Sequence, residues 1–488
     1  MASNSKLQFI IQFIAEKLLF TFLLSLHMKN CILSFSKIKD SQLLFSVLFG
    51  ALIVYPFTGF SQPQQSKPTL IKNVSLIDGT GSSTREGTDI LIQGDHIVQI
   101  GKAISAKDVV VIDLSGKTLM PSLISAHTHV GTVKGTTSNA GNYTRENILR
   151  QLKRYQDYGI NSVLVMGTDR QMIFENGLRD STVAGLLPGA RLFSAGYGFN
   201  TPDENPGSWM NLLLRPKTPE DVPEMMKKLA ALKPTVVKMW VDDHGGNAQK
   251  MKPEIYKAII AEAHKKGIRV AAHLFYVEDA RALVEAGLDI IAHSIRDKEV
   301  DSDLLKKMKE KGVIYIPTLT LDEYQFIYGD QPYWIQDPFF KASLEAGVLE
   351  MITDKAYQEK IKNSPDYAKN SAASKMGMMN LKKIFDAGIT VALGTDSGAF
   401  PIRAQGFSEH LEMELMVQAG LTPLQAITVS TKNAAKALAE NKSGSAEVGK
   451  KADFIILTAN PENEIKNTRK IFSVWKDGKE VSKGALDN

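Results

Sequence analysis

Residues 253–293 read PEIYKAIIAEAHKKGIRVAAHLFYVEDARALVEAGLDIIAH. An amphipathic stretch, Pro253–Lys266, gives way at Gly267 to an apolar run, Arg269–Phe275. The pattern then repeats: Glu278–Ala286 is amphipathic, Gly287 follows, and Asp289–His293 is apolar. A third unit, Asp303–Lys311, Gly312 and Val313–Thr318, continues it. Apolar residues at helical spacing predict helices, and short continuous apolar runs predict buried strands. Glycine suits the left-handed helix C-cap between them. Helices alternating with buried strands predict parallel β/α units.

Five further strand candidates extend the series on both sides: Leu119–Ser125, Ile160–Met166, Arg191–Ala195, Val236–Val241 and Thr390–Gly394. Eight β/α units predict an α/β fold, a (β/α)8 barrel over residues 121–440. A doubly wound open sheet is the alternative, but it usually has fewer strands. On either side of the barrel the pattern turns to short strands. Ile90–Ile92 and Ile97–Ile100 flank Gly94-Asp95, a hairpin signal. Phe454–Leu457, Ile471–Trp475 and Glu480-Val481 lie near the C-terminus, the last two around Asp477-Gly478. Residues 62–120 and 441–488 are therefore expected to pair as one small discontinuous β-sandwich.

The chain has 488 residues, 43% hydrophobic and 23% charged, which is ordinary globular usage and excludes a disordered, fibrous or polytopic membrane chain. A net charge of +5 is too small to argue for a nucleic-acid partner. Part of it sits in residues 1–61, where Lys6, Lys17, Lys29, Lys37 and Lys39 face only Glu16 and Asp40. That leader carries two apolar runs. The second follows Met28 and a basic stretch, spans Leu43–Phe60, and ends Thr58-Gly59-Phe60-Ser61. A basic start, an apolar middle and small residues before the cut describe a secretory signal. Met28 is then the expected true start and the protein is expected to be secreted or periplasmic. An uncleaved membrane anchor is the alternative. The single cysteine, Cys31, lies in this leader, so the remainder has no disulfide and no thiol chemistry.

Barrel active sites lie at the C-terminal ends of the strands. The first strand runs into His127-Thr128-His129, and residues i and i+2 of an extended segment point the same way, so both imidazoles reach one metal. The fourth strand carries Lys238 inside an apolar run, where a charged amine is costly to bury. The fifth holds His273, the sixth ends in His293, and the eighth is followed by Asp396. Each alone reads as a core or capping residue. Six such groups at one end of five strands predict metal-dependent catalysis.

These residues, in this order, resemble the amidohydrolase superfamily. Pro121–Ile124, Glu285–His293, Ala419–Ala426 and Gly449–Asp453 extend the similarity along most of the chain from Ile71 to Val481. The strand-4 lysine is similar to the branch of prolidases, Lys/Arg carboxypeptidases and imidazolonepropionase-like hydrolases. The resemblance implies two divalent metal ions, with Zn2+ best suited, one held by His127, His129 and Asp396 and the other by His273 and His293. It implies that Lys238 is carboxylated by CO2 and bridges them. It implies attack by a bridging hydroxide, with Asp396 as the catalytic base that passes the proton to the leaving nitrogen. Ser122 and Ser125 depart from the family's usual Gly and Asp, which withdraws a supporting carboxylate. Phe275 stands where related dipeptidases often have tyrosine, with Tyr276 next to it.

The expected function is hydrolysis of amide or peptide C–N bonds, in dipeptides, N-acyl amino acids or related small amides. Lactone, phosphoester or cyclic-amide hydrolysis on the same site is the alternative, and a non-catalytic membrane-anchored binding protein is another. Tyr276, His244 and His410 are candidate substrate-binding residues, and the loop Gly198–Pro216 is expected to border the site. A homo-oligomer is allowed. Between strands seven and eight, residues 324–340 hold seven aromatics in 17 positions. They suggest either a lid over an apolar substrate or a helical excursion packed on the barrel rim.

Overall fold

The structure, a computed structural model, describes residues 67–202 and 212–487. The leader and its signal-or-anchor reading lie outside the described residues, as does part of the loop 198–216. Among the described residues no helix is long and apolar enough to cross a membrane.

The chain opens with β1 (Thr69–Leu76), β2 (Arg85–Gln93), β3 (His96–Gly101), β4 (Val110–Asp113) and β5 (Thr118–Pro121). β6 (Leu123–Thr128) follows, then a short hairpin, β7 (Val133–Lys134) and β8 (Thr137–Ser138). β9 (Ile160–Val165), β10 (Arg191–Ser194), β11 (Val237–Trp240), β12 (Val270–His273), β13 (Ile290–Ala292), β14 (Ile314–Ile316) and β15 (Thr390–Val391) come next. β16 (Phe454–Leu457), β17 (Ile471–Lys476) and β18 (Lys479–Ser482) end it.

β6, β9 and β10 pair in parallel, as do β11 to β15. Backbone bonds join the two groups at both edges. Thr235 N donates to Ser194 O at 2.8 Å and Phe199 N to Lys238 O at 2.8 Å; Ala126 N donates to Leu393 O at 2.8 Å and Thr395 N to His127 O at 3.0 Å. The eight parallel strands thus form a ring in chain order, the expected α/β barrel. Helices Pro253–Lys265, Val277–Glu285 and Ser302–Glu310 stand between successive strands, burying Ile255, Ile259 and Ala263 in the first and Leu304 and Met308 in the last. Gly267, Gly287 and Gly312 follow them with φ of +69°, +99° and +66°, the left-handed caps their positions require.

The first strand differs from expectation. Thr118–Pro121 belongs to the other sheet, pairing with β16 and β1, and the barrel strand begins only at Leu123. A single apolar run conceals this switch, because both sheets bury it. β5 places the N-terminal strands beside the C-terminal ones in one eight-stranded sheet, ordered β18-β17-β16-β5-β1-β2-β3 with β4 also beside β1. The sheet curls round its own core of Ile71, Ile90, Leu119, Phe454 and Trp475. Its far edge meets the chain before β16, where Ile97 N donates to Lys450 O at 2.9 Å.

The aromatic stretch takes the packing role. Tyr324, Phe326, Tyr328, Trp334, Phe339 and Phe340 are buried and only Tyr333 is exposed. Trp334 lies against Phe340 and Phe407, with ring centroids 4.6 and 5.3 Å apart.

Arg191 of β10 fastens the barrel to the sheet. It is 1% exposed and donates to Asp453 Oδ2 at 2.7 Å and to Asp477 Oδ1 at 2.5 Å. Removing one partner of a buried ion pair typically costs about 3–5 kcal/mol, because the other charges stay desolvated. Arg191→Ala is expected to lose stability on that scale, measured as a lowered urea midpoint.

Candidate metal centre

His127 near the end of β6 and His129 just past it turn the same way, and their Nε2 atoms approach a single oxygen, Asp396 Oδ1, at 3.1 and 2.8 Å. All three residues are buried, and one ligand atom from each lies within 4.8 Å of the others. The imidazoles are aimed by threonines: Thr168 Oγ1 lies 2.6 Å from His129 Nδ1, and Thr318 Oγ1 lies 2.9 Å from His293 Nδ1. Each contact leaves Nε2 facing inward. The His293 ring stands 4.5 Å from that of His127 and 4.4 Å from that of His273, so the histidines of strands 1, 5 and 6 adjoin.

Burial sets the charge state. It pushes His127 down to about 3 and His273 to about 4, and holds His293 well below the ordinary imidazole value. All three are neutral at pH 7 and offer lone pairs, as metal ligands must. For Asp396 burial acts to raise the pKa, but the Arg403 guanidinium and the neighbouring imidazoles win and hold it well below the carboxylate range.

Lys238 is fully buried and its Nζ has no hydrogen-bond partner. Burial lowers its pKa to about 7. An orphaned, partly neutral amine among buried imidazoles fits a group that is to be carboxylated and to bridge cations. The donor set therefore fits divalent metal.

Sequence reasoning missed three residues here. Glu409, in the helix Phe407–Gln418, is fully buried, and its Oε1 accepts from Ser125 Oγ at 3.0 Å, Thr395 Oγ1 at 2.7 Å and Ser397 Oγ at 2.8 Å. Its Oε2 accepts from Gly406 N at 2.9 Å. The carboxylate absent at position 125 is thus supplied from another element, against the two strands that carry His127 and Asp396. Three glutamates spaced through one otherwise largely apolar helix, Glu409, Glu412 and Glu414, all buried, were the available signal. Arg403 contacts Asp396 directly. Asp242 Oδ1 lies 3.0 Å from His273 Nε2.

Above the cluster lies a cavity of about 780 Å³. Trp240, Phe275, Leu321 and Phe400 form its apolar wall, and Lys369 and Asn370 reach it from the long helix Tyr367–Asp386. The segment between β14 and β15 therefore borders the site through Leu321 and through polar residues such as Lys369 and Asn370, not through the aromatics of 324–340. His244 also lines the cavity. Tyr276 does not: its hydroxyl donates to Asp243 Oδ1 at 2.8 Å, and Phe275 takes the wall position. His410 lies elsewhere. It is fully buried, with Nδ1 2.9 Å from Thr468 Oγ1 and Nε2 2.9 Å from Tyr158 O, a core residue satisfied on both nitrogens.

A parallel β/α ring with histidines, a lysine and an aspartate at its strand ends defines a barrel hydrolase of the metal-dependent kind. The amidohydrolase family profile matches residues 118–481, and the chain belongs to that family. A curated relative, the ochratoxinase of Aspergillus niger, is 30% identical over 247 residues, 49% of this chain and 43% of the relative. The chain thus spans less than half the length of that relative. The crystal structure of a Xaa-Pro dipeptidase with bound methionine is 25% identical, with a TM-score of 0.66 over 85% of this chain and 99% of that one. The crystal structure of phenylurea hydrolase B, 20% identical, shares the fold with a TM-score of 0.66 over 85% of this chain and 97% of that one.

Partners behind metal ligands typically contribute about 10–100-fold in metal affinity. Glu409→Ala is expected to weaken metal binding on that scale, measured by competition with a chromophoric chelator. His410, by contrast, should report on stability alone. Burial lowers its pKa to about 3 against 6.5 for the free side chain. The unfolded chain then binds the extra proton between those values, so stability falls as pH drops from about 6.5 towards 3. His410→Gln is expected to flatten that slope in the metal-free protein, measured by thermal unfolding.

Proposed function

We propose that this chain hydrolyses amide or peptide C–N bonds of small molecules, dipeptides, N-acyl amino acids or related amides, with two divalent ions, Zn2+ foremost. The observation that carries the reading is the convergence of His127, His129 and Asp396 beside a fully buried, unpartnered Lys238. His127, His129 and Asp396 would hold one ion, His273 and His293 the other, with a carboxylated Lys238 between them. When bound, the ions supply Lewis acidity toward a carbonyl oxygen and toward water.

Asp396 is ionised at neutral pH, so its carboxylate accepts the proton of the attacking water and returns it to the leaving nitrogen. Arg403 and the imidazoles keep that carboxylate aimed at the cluster. The wall of Trp240, Phe275, Leu321 and Phe400 favours an apolar or aromatic group next to the scissile carbonyl. Lys369 offers a cation for the carboxylate of a dipeptide or N-acyl amino acid. The names of the relatives, a dipeptidase and a phenylurea hydrolase among them, support C–N hydrolysis as the reaction class. The leader at 28–61 supports export.

Lys238→Ala is expected to lose one of two bound ions and nearly all turnover, measured by elemental analysis and product formation. An active two-metal variant contradicts the bridging role. A screen of the zinc-loaded protein with dipeptides, N-acyl amino acids, cyclic ureides, lactones and phosphoesters tests the reaction class. Turnover of acyclic amides is expected, and turnover of lactones or phosphoesters alone contradicts the reading.

A further inference from the structure

We propose a further divalent-cation site in this chain, built by Asp242, His244 and His273 at the ends of strands β11 and β12. It adjoins the second position described above and shares His273 with it, but Asp242 and His244 belong to neither position and Lys238 and His293 do not belong to it. One ligand atom from each of its three residues lies within 4.8 Å of the others. Asp242 Oδ1 is 3.0 Å from His273 Nε2 and 4.0 Å from His244 Nδ1, and the two imidazole centroids are 5.0 Å apart.

The bland alternative is a carboxylate that merely orients His273. The geometry points away from it. Asp242 is 5% exposed, yet its Oδ1 has no hydrogen-bond partner despite the short approach of Nε2. The two atoms are close without being aligned on one another. His244 Nε2 is also buried without a partner. Leaving Asp242 Oδ1 unsatisfied costs free energy, and one cation among the three residues gives it a partner.

The backbone holds His244 in place. It has φ of +47°, with Gly245 and Gly246 following at +75° and +90°, and Gly245 N donates to Asp243 Oδ1 at 3.2 Å. A left-handed backbone at a non-glycine residue persists when surrounding structure imposes it, often at functional positions. Here the conformation sets the imidazole on the cavity wall beside Asp242.

Two imidazoles and a carboxylate suit Zn2+ or Co2+, and three protein ligands leave a coordination position open. On binding, the cation replaces any proton on Nε2 of His273, and that proton passes to solvent. His273 Nδ1, also without a partner, remains available on the other side of the ring.

The test titrates the full-length zinc-loaded protein with Co2+, removes free metal, and counts bound cobalt against zinc by elemental analysis. His244→Asn and Asp242→Asn are run beside it. Asparagine tolerates the left-handed conformation, so the first variant keeps the loop geometry. The expected result is one cobalt equivalent in the parent that both variants lose, while the zinc beside His127, His129 and Asp396 is retained. The count is a difference between parent and variants, so it stands whether or not the chain proves to be an amidase. No additional equivalent in the parent, or one kept by both variants, overturns the site.

Discussion

A lysine amine sealed in a parallel barrel is the constraint on which the rest of the site turns. Lys238 is wholly inaccessible, and its charged form has no hydrogen-bond partner to offset desolvation. Its pKa falls to about 7, so a free base is available at neutral pH. The groups round it are matched to that condition. The imidazoles of His127, His273 and His293 are neutral and add no repelling charge, and the nearest ionised carboxylates, Asp396 and Asp242, favour its protonated form. Conversion of the amine to a carbamate would exchange a cation for an anion where cations are to be bound, which resolves the burial and the coordination together.

The second determinant is backbone strain at the strand ends. His293, Thr318 and Asp396 have φ of +94°, +52° and +59°. Such values are uncommon outside glycine and persist where surrounding structure enforces them. His293 directly follows β13 and Thr318 lies two residues past β14, so these left-handed positions mark where the two three-residue strands leave the ladder. The chain leaves the ladder early so that the side chains turn onto the cluster. The buried glutamates hold these ends. Glu409 gathers hydroxyls from the strands of His127 and Asp396, and Glu412 accepts from Leu319 N at 2.7 Å and Thr320 N at 2.8 Å, just beyond Thr318.

Much of this was legible in the sequence. Apolar runs mark the eight barrel strands, the first with its start in the neighbouring sheet, helix period and cap glycines mark three of the units, and barrel topology then puts His127, His129, Lys238, His273, His293 and Asp396 at one end. What escaped was of a different physical kind. The switch of sheets between Pro121 and Leu123 leaves no break in hydrophobicity. Glu409 and Asp242 act through distant partners that sequence spacing does not reveal, Ser125 being 284 positions from Glu409, while Arg403 reaches Asp396 seven positions away across an irregular loop. Aromatic density in 324–340 tells that those residues are buried but not against what. His410 carries no mark separating it from the cluster histidines, since burial on both ring nitrogens is a property of the packed core.

We infer that the strand ends hold metal round Lys238. Crystallography of the zinc-loaded protein with anomalous data collected at the zinc edge addresses it most directly. Two strong anomalous peaks are expected, one beside His127, His129 and Asp396 and one beside His273 and His293, with extended density on Lys238 between them. An unmodified lysine side chain with no anomalous peak among these residues would contradict it.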